Sequence, residues 1–316
     1  MSPNSWTCLH PSNATEAKLS LDNRGLAYGD GFFTTMGVID GQILWFDYHQ
    51  QRLVSHAAAL QLQLDSQLLL AMLKIHAKQL QQGMLKLIIT RAEQEVRGYG
   101  YTPNIGGGSA CEIWLKSSPM AITTARSLPL ADGQFIPLQP TTSAICLSSQ
   151  IACLPPTLAG LKSLNRLDNV LASGELQAIK AKTLAGTIKP SIAEGLLRDM
   201  SGHWVEGTMS NVFYQLVEEP VAKSSNRPHS QNNSSNYLTQ GQWYTPSMAQ
   251  SGVAGVMRQV IIDTLSTSKN PVIIRSLQDE DLPHLSQLFF CNALRGIMPM
   301  TSLRLFSGEV VSFEAI

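Results

Sequence analysis

One lysine in this chain sits where an amine could do covalent chemistry. Lys162 lies in L-A-G-L-K-S-L-N-R-L-D-N-V, Leu158 to Val170, among Leu158, Leu161, Leu164 and Leu167. An ammonium held among leucines loses hydration, which lowers its pKa toward that of a usable nucleophile. A lysine that forms a Schiff base needs such a setting. A surface lysine in a helix-entry loop gives the same local pattern. The case therefore depends on companions: a buried acid, an anion cradle and arginines able to meet carboxylates.

The chain holds a candidate for each. Glu206, in H-W-V-E-G-T-M-S-N-V-F, stands where a strand gives way to a glycine turn. It is either a solvated turn glutamate or a carboxylate facing a pyridine nitrogen, where it would keep that nitrogen protonated. S-G-V-A-G, Ser251 to Gly255, leads into an apolar helix. A helix start offers free N–H groups and a favourable dipole for a phosphate. Arg52, beside the apolar stripe of an earlier helix, would supply the matching cation; it reads equally as a surface arginine.

Composition narrows the partners. In 316 residues, Lys+Arg and Asp+Glu are both 23, so the formal charge is zero and no basic surface for nucleic acid is indicated. The five cysteines show no C-x-x-C spacing, which argues against a zinc site and a disulfide framework. No metal is expected. No apolar run is long enough to span a bilayer, and the start shows no charged-then-apolar pattern. A reducing, cytoplasmic setting is expected.

Two domains must position these groups. The first is α+β over 1–116, with 1–18 a loose arm that could hold a short strand. It has a hairpin at Asp40-Gly41, helices over Asp47–Leu64 and Ser66–Gln82, and strands at Leu85–Thr90 and Cys111–Lys116. Residues 117–142 contain four prolines and no periodicity, and read as a linker. The second domain spans 143–316. Its helix Arg166–Lys182 should turn Leu167, Val170, Leu171 and Ile179 inward, and strands are expected at Ile192–Asp199, Trp204–Val217 and Leu288–Ala293. A helix is expected over Val256–Ser266 and a last hairpin near Ser307 to Glu309. The polar run 224–242 reads as a surface insertion.

In this order the motifs resemble the fold-type IV (class IV) pyridoxal-phosphate enzymes, the group of branched-chain and D-amino-acid transaminases and 4-amino-4-deoxychorismate lyase. The likeness rests on G-D-G-F-F-T-T (Gly29 to Thr35), Q-R-L (Gln51 to Leu53) and L-K-S-L-N-R-L (Leu161 to Leu167). It continues through V-E-G-T-M-S-N-V-F (Val205 to Phe213), G-V-A-G-V-M-R (Gly252 to Arg258) and C-N-A-L-R-G-I-M-P (Cys291 to Pro299). It implies a smaller N-terminal α+β domain, a larger mixed sheet-barrel domain, bound pyridoxal 5′-phosphate and a homodimer. It makes Lys162 the Schiff-base lysine and Glu206 the partner of the ring nitrogen. Arg52, the N–H groups of Val256 and Met257, and the Asn292–Ala293 region would hold the phosphate, and Thr34 or Thr35 would shuttle a proton. The S-L-N-R and C-N-A-L runs and the R-G-Y-G-Y loop resemble the lyase branch, whose substrate carries two carboxylates. Arg97, Arg166 and Arg295 are the candidate partners for those carboxylates. A transaminase of the same fold remains the alternative, and a non-catalytic cofactor-binding homologue a more distant one.

Overall fold

The computed structural model describes residues 6–10, 18–103, 110–122, 126–130, 135–184, 192–217 and 237–313. An antiparallel sheet organises the first unit. Its strands are β1 (Trp6–His10), β2 (Gly31–Ile39), β3 (Gln42–Ile43), β4 (Gly83–Arg91) and β5 (Cys111–Pro119), in the order β1-β5-β4-β2-β3. The expected arm strand is β1, paired with β5. Asp40 and Gly41 turn the β2–β3 hairpin with φ of 51° and 71°, the left-handed pair that two-residue hairpins favour. Helices α1 (Arg24–Tyr28), α2 (Phe46–Ala59) and α3 (Ser66–Leu80) complete the unit.

Strand alternation decides what β2 presents. Phe32, Met36 and Val38 enter the core with Leu53 and Ala57 of α2 and Leu69, Leu73 and Ala77 of α3. Each such large side chain contributes roughly 1.5–3 kcal/mol by leaving water. The opposite face carries Phe33, Thr35 and Gly37; a Cβ on Gly37 would stand 3.2 Å from Ile122 and 3.6 Å from Leu294. That face therefore looks toward the second unit. Trp45, which precedes α2 in the left-handed region at φ 58°, places its indole in the second unit's core beside Val256 and Met257.

The second unit is a mixed sheet that closes on itself. It comprises β6 (Arg126–Pro129), β7 (Phe135–Leu138), β8 (Thr142–Ile151), β9 (Ile192–Asp199), β10 (Trp204–Gly207) and β11 (Asn211–Leu216). Next come β12 (Tyr244–Thr245), β13 (Ile273–Ile274), β14 (Leu285–Asn292), β15 (Gly296–Arg304) and β16 (Val310–Ser312). The neighbours β11-β10-β9-β8-β15 form one run, and β14 pairs with both β15 and β11, completing a ring. Val212, Tyr214, Leu288 and Phe290 share one core cluster. Phe213, Phe289 and Cys291 face the other way, where helix α5 (Val256–Leu265) packs through Val256, Met257, Val260 and Ile261.

Four expectations change. The supposed linker continues β5 to Pro119 and then supplies β6 and β7, with β7 pairing β15. Its prolines suit short strands, which need few ladder donors. Helix α4 (Leu167–Leu184) buries Ala172, Leu176 and part of Ile179 against Ile145, Leu147, Ile192 and Leu197. Leu167, Val170 and Leu171 stand 78%, 61% and 70% exposed, because the helix turns Ala172 and Leu176 to the sheet and these three away from it. The strand expected at Trp204–Val217 is broken at Thr208–Ser210, where Glu194 accepts from Thr208 N, Thr208 Oγ1 and Ser210 Oγ. Within 224–242, residues 224–236 lie outside the described residues, but Leu238 is buried in the core beside Trp243. No helix among the described residues is long and apolar enough to cross a membrane.

Candidate active site

Lys162 lies on an irregular strap, Leu158 to Leu164, laced between the two units. On one side Phe33 N–H donates to the Lys162 carbonyl at 3.0 Å, and Leu164 N–H donates to Gly31 O at 3.0 Å. Asn165 Nδ2 donates to Gly29 O at 3.2 Å, so the glycine motif of β2 and the S-L-N-R motif interlock. On the other side Gly160 O accepts from Ala254 N–H at 2.9 Å. The Lys162 amine lies 4.7 Å from the centre of the Phe33 ring. Burial, then the nearby Arg52, push the amine down to about 8, with Glu206 opposing them. Burial is the physical cause, but not through all the leucines of the motif: Leu158 and Leu167 stand 39% and 78% exposed, and the Phe33 ring lies against the amine.

The cradle is built by α2 and α5. Gly255 precedes α5 with no side chain capping the helix, so the first-turn N–H groups of Val256, Met257 and Arg258 have no helical acceptor. A Cβ on Gly255 would lie 1.9 Å from Asn211 Oδ1, so only glycine fits there. Asn211 Nδ2 in turn donates to Val253 O at 2.8 Å. Arg52, 7% exposed, donates from Nη2 to Ala254 O at 2.6 Å. Burial lowers its guanidinium to about 10, which still leaves it charged near neutrality. Cation, amides and helix dipole thus converge where an anion would rest.

Glu206 is the penultimate residue of β10, 3% exposed. Its Oε2 accepts from Val253 N–H at 2.9 Å, and its Oε1 from Asn169 Nδ2 at 3.4 Å. Gly252, at φ 76°, brings the loop close: a Cβ there would sit 3.0 Å from Oε2. Burial raises the carboxyl's proton affinity, while Val253, Arg166, Asn169 and Lys162 oppose it. The Glu206 and Lys162 shifts have one origin, since burial disfavours both charged forms.

The other expected residues divide. Val256 and Met257 stand at the cradle. Arg166 belongs to the site: its Nη2 donates to Leu161 O, its buried Nε has no partner, and its charge acts on Lys162, Glu206 and His56. Thr35 shares the β2 face with Phe33, whereas Thr34 is fully buried in the first unit and its hydroxyl meets His49 Nδ1 at 2.9 Å. Thr34 is therefore separated from the Lys162 amine by its own strand. Asn292 Oδ1 is taken by the N–H groups of Leu294 and Arg295, and Ala293 packs with the α5 core, so both support the wall. Arg295 is exposed and leans on Met298 Sδ at 3.6 Å. Arg97 is exposed on its loop. Of the three arginines, one is placed with the lysine and the acid.

Sequence reasoning missed His56, whose Nε2 accepts the Lys162 N–H at 2.9 Å, and Asn169 on Glu206. Only the Asn169 position, inside the lysine motif, carried a signal. Asp30, in G-D-G, binds Arg24 and Arg91, each at 2.9 Å, and so shapes the motif without entering the site. An apolar cavity of about 340 Å³ between β1, β5 and α3 is lined by Leu9, Leu69, Met72 and Cys111, away from these groups. No cluster able to hold a metal ion occurs among the described residues.

Residues 31–303 match the family model for amino-transferase class IV, and the chain belongs to that family, which uses pyridoxal 5′-phosphate. The structure is similar to that of 4-amino-4-deoxychorismate lyase from Pseudomonas aeruginosa, with a TM-score of 0.69 and 30% identity over 91% of this chain and 88% of that one. An aminodeoxychorismate lyase of Vibrio harveyi is 23% identical over 91% of this chain and 88% of its own length. A Methanocaldococcus jannaschii protein, provisionally named a branched-chain-amino-acid aminotransferase, is 25% identical over 95% of this chain and 87% of its own. The fold is thus the two-domain, fold-type IV arrangement with a sheet barrel.

Proposed function

We propose that the chain is a pyridoxal-phosphate-dependent lyase that converts 4-amino-4-deoxychorismate to 4-aminobenzoate and pyruvate. The observation that carries the reading is that the buried Lys162 amine lies within electrostatic reach of both Arg52 and Glu206, with Arg52 bonded to the loop that starts α5. The donor set suits the cofactor: a depressed amine for its aldehyde, a buried carboxyl for its ring nitrogen, and amides with a guanidinium for its phosphate. When bound, the cofactor supplies an aldehyde and an electron-withdrawing ring.

The chain's own residues do the rest. Val256, Met257 and Arg52 would hold the phosphate, and Glu206, fixed by Val253 and Asn169, would keep the ring nitrogen protonated. The Lys162 amine, once free, takes the substrate proton on the carbon bearing nitrogen. Departure of the neighbouring enolpyruvyl group, with a proton returned to its methylene carbon, leaves pyruvate and an aromatic ring. Arg166 meets one substrate carboxylate. The lean toward the lyase rests on the Pseudomonas and Vibrio relatives and on the interlocked S-L-N-R strap.

A transaminase is the second reading, favoured by the Methanocaldococcus relative. Incubation with 4-amino-4-deoxychorismate, with and without 2-oxoglutarate, separates the two. Multiple turnovers to 4-aminobenzoate without acceptor support the lyase. No aromatic product, with deamination of D-alanine or leucine only when 2-oxoglutarate is present, supports the transaminase. We also infer a homodimer, whose second copy covers the exposed Leu167, Val170 and Leu171 of α4; light scattering at a monomer mass would refute it. A cytoplasmic setting suits the five free thiols.

A further inference from the structure

The cofactor reading leaves a buried imidazole without a task. His56 sits one turn beyond Arg52 on α2, 5% exposed. To accept the Lys162 N–H its Nε2 must carry a lone pair, which places the ring proton on Nδ1, 3.3 Å from Ser55 Oγ. Phe32 meets the ring edge-on, with centroids 5.3 Å apart. Because Phe33 N–H takes the Lys162 carbonyl, both backbone groups of the lysine are held, by two different elements. A closed circuit results. Arg52 binds Ala254 O, Ala254 N–H binds Gly160 O, and the strap runs on to Lys162, whose N–H returns to His56 on the same helix.

We propose that His56 is a positioning residue that fixes the Lys162 amine over Phe33 and relative to the Arg52 cradle. The inference rests on Lys162 being the cofactor's attachment point. The charged groups facing the imidazole are Arg52, Lys162 and Arg166. Burial and then these cations hold it down to about 3, so it remains a neutral acceptor across the working range. A strap freed from this bond would admit water to the amine, raising its pKa and blurring its aim.

His56→Leu removes the acceptor at similar volume, and His56→Gln restores one through Oε1. Three readouts apply to each: melting midpoint, inorganic phosphate affinity, and the pH dependence of pyridoxal phosphate capture at Lys162. Capture is quantified by borohydride trapping and peptide mapping. His56→Leu should melt as a folded protein and bind phosphate as before. It should capture the cofactor about tenfold more slowly, with its pH midpoint moved upward, and His56→Gln should recover most of the loss. Equal rate and pH profile in a folded His56→Leu would overturn the proposal while leaving the cofactor reading intact. A wild-type protein that captures nothing at Lys162 would end both. Should His56→Leu not fold, nitrogen NMR of the wild type decides. A neutral Nδ1–H ring that does not titrate near its ordinary value supports the proposal, and an Nε2–H ring or a midpoint near 6.5 overturns it.

Discussion

Arg52 and Ala254 lie 202 residues apart in sequence, yet the guanidinium donates to the carbonyl at 2.6 Å. This bond ties α2 of the first unit to the loop that starts α5 in the second. A guanidinium with one edge fixed in this way is oriented before any anion arrives, which lowers the ordering cost of binding.

Arg52→Gln should therefore weaken retention of pyridoxal phosphate roughly 10- to 100-fold, the worth of one charged hydrogen bond. Equilibrium dialysis measures it. Since Arg52 also helps depress the Lys162 amine, the same variant should raise that amine's pKa. Wild-type retention would remove Arg52 from the cradle.

The depressed amine sets a pH profile. Only the neutral amine attacks an aldehyde, so capture should rise with pH and level off above about 8. A lysine in water would keep rising toward its ordinary value of about 10.4. Stopped-flow absorbance across this range distinguishes the two, and a profile still climbing well above 9 would show a solvated lysine.

Glu206→Gln keeps the shape and removes the charge. Turnover should fall on the order of a hundredfold, because a neutral amide no longer holds the ring nitrogen protonated. Cofactor retention should change far less, since the phosphate contacts are untouched. Rates within a factor of about two of wild type would make Glu206 a structural group.

Much of the site was legible because its chemistry needs residues that look out of place. A lysine among leucines, a glutamate at a strand end and glycines before a helix each stand out. The Asp40-Gly41 turn and most helices and strands followed from period and turn chemistry. His56 was not legible: its partner, Lys162, is 106 residues away and its neighbours carry no motif. Thr34 and Thr35 could not be separated, since both faces of β2 are covered and only the packing of α2 and α3 tells them apart. On α4, apolar residues lie on both sides, so periodicity placed Ile179 inward correctly but Leu167, Val170 and Leu171 wrongly. In the 117–142 stretch, prolines hid two short strands that gain order only by joining β15.

The buried end of the polar insertion gives a stability prediction. Leu238, 1% exposed against the Trp243 core, should cost about 2–5 kcal/mol when changed to alanine. Urea unfolding is the measurement. A loss below about 0.5 kcal/mol would mean that residues 237–242 do not pack as described.

The central claim is that the strap from Leu158 to Leu164 places the Lys162 amine between the Glu206 carboxyl and the Arg52 cradle, so that this lysine holds the cofactor. Borohydride reduction of the protein with pyridoxal phosphate, followed by peptide mapping, tests it directly. The account predicts one modified peptide, carrying the adduct on Lys162, and no adduct in a folded Lys162→Ala variant. An adduct on Lys180 or Lys182, or undiminished labelling of Lys162→Ala, would contradict it.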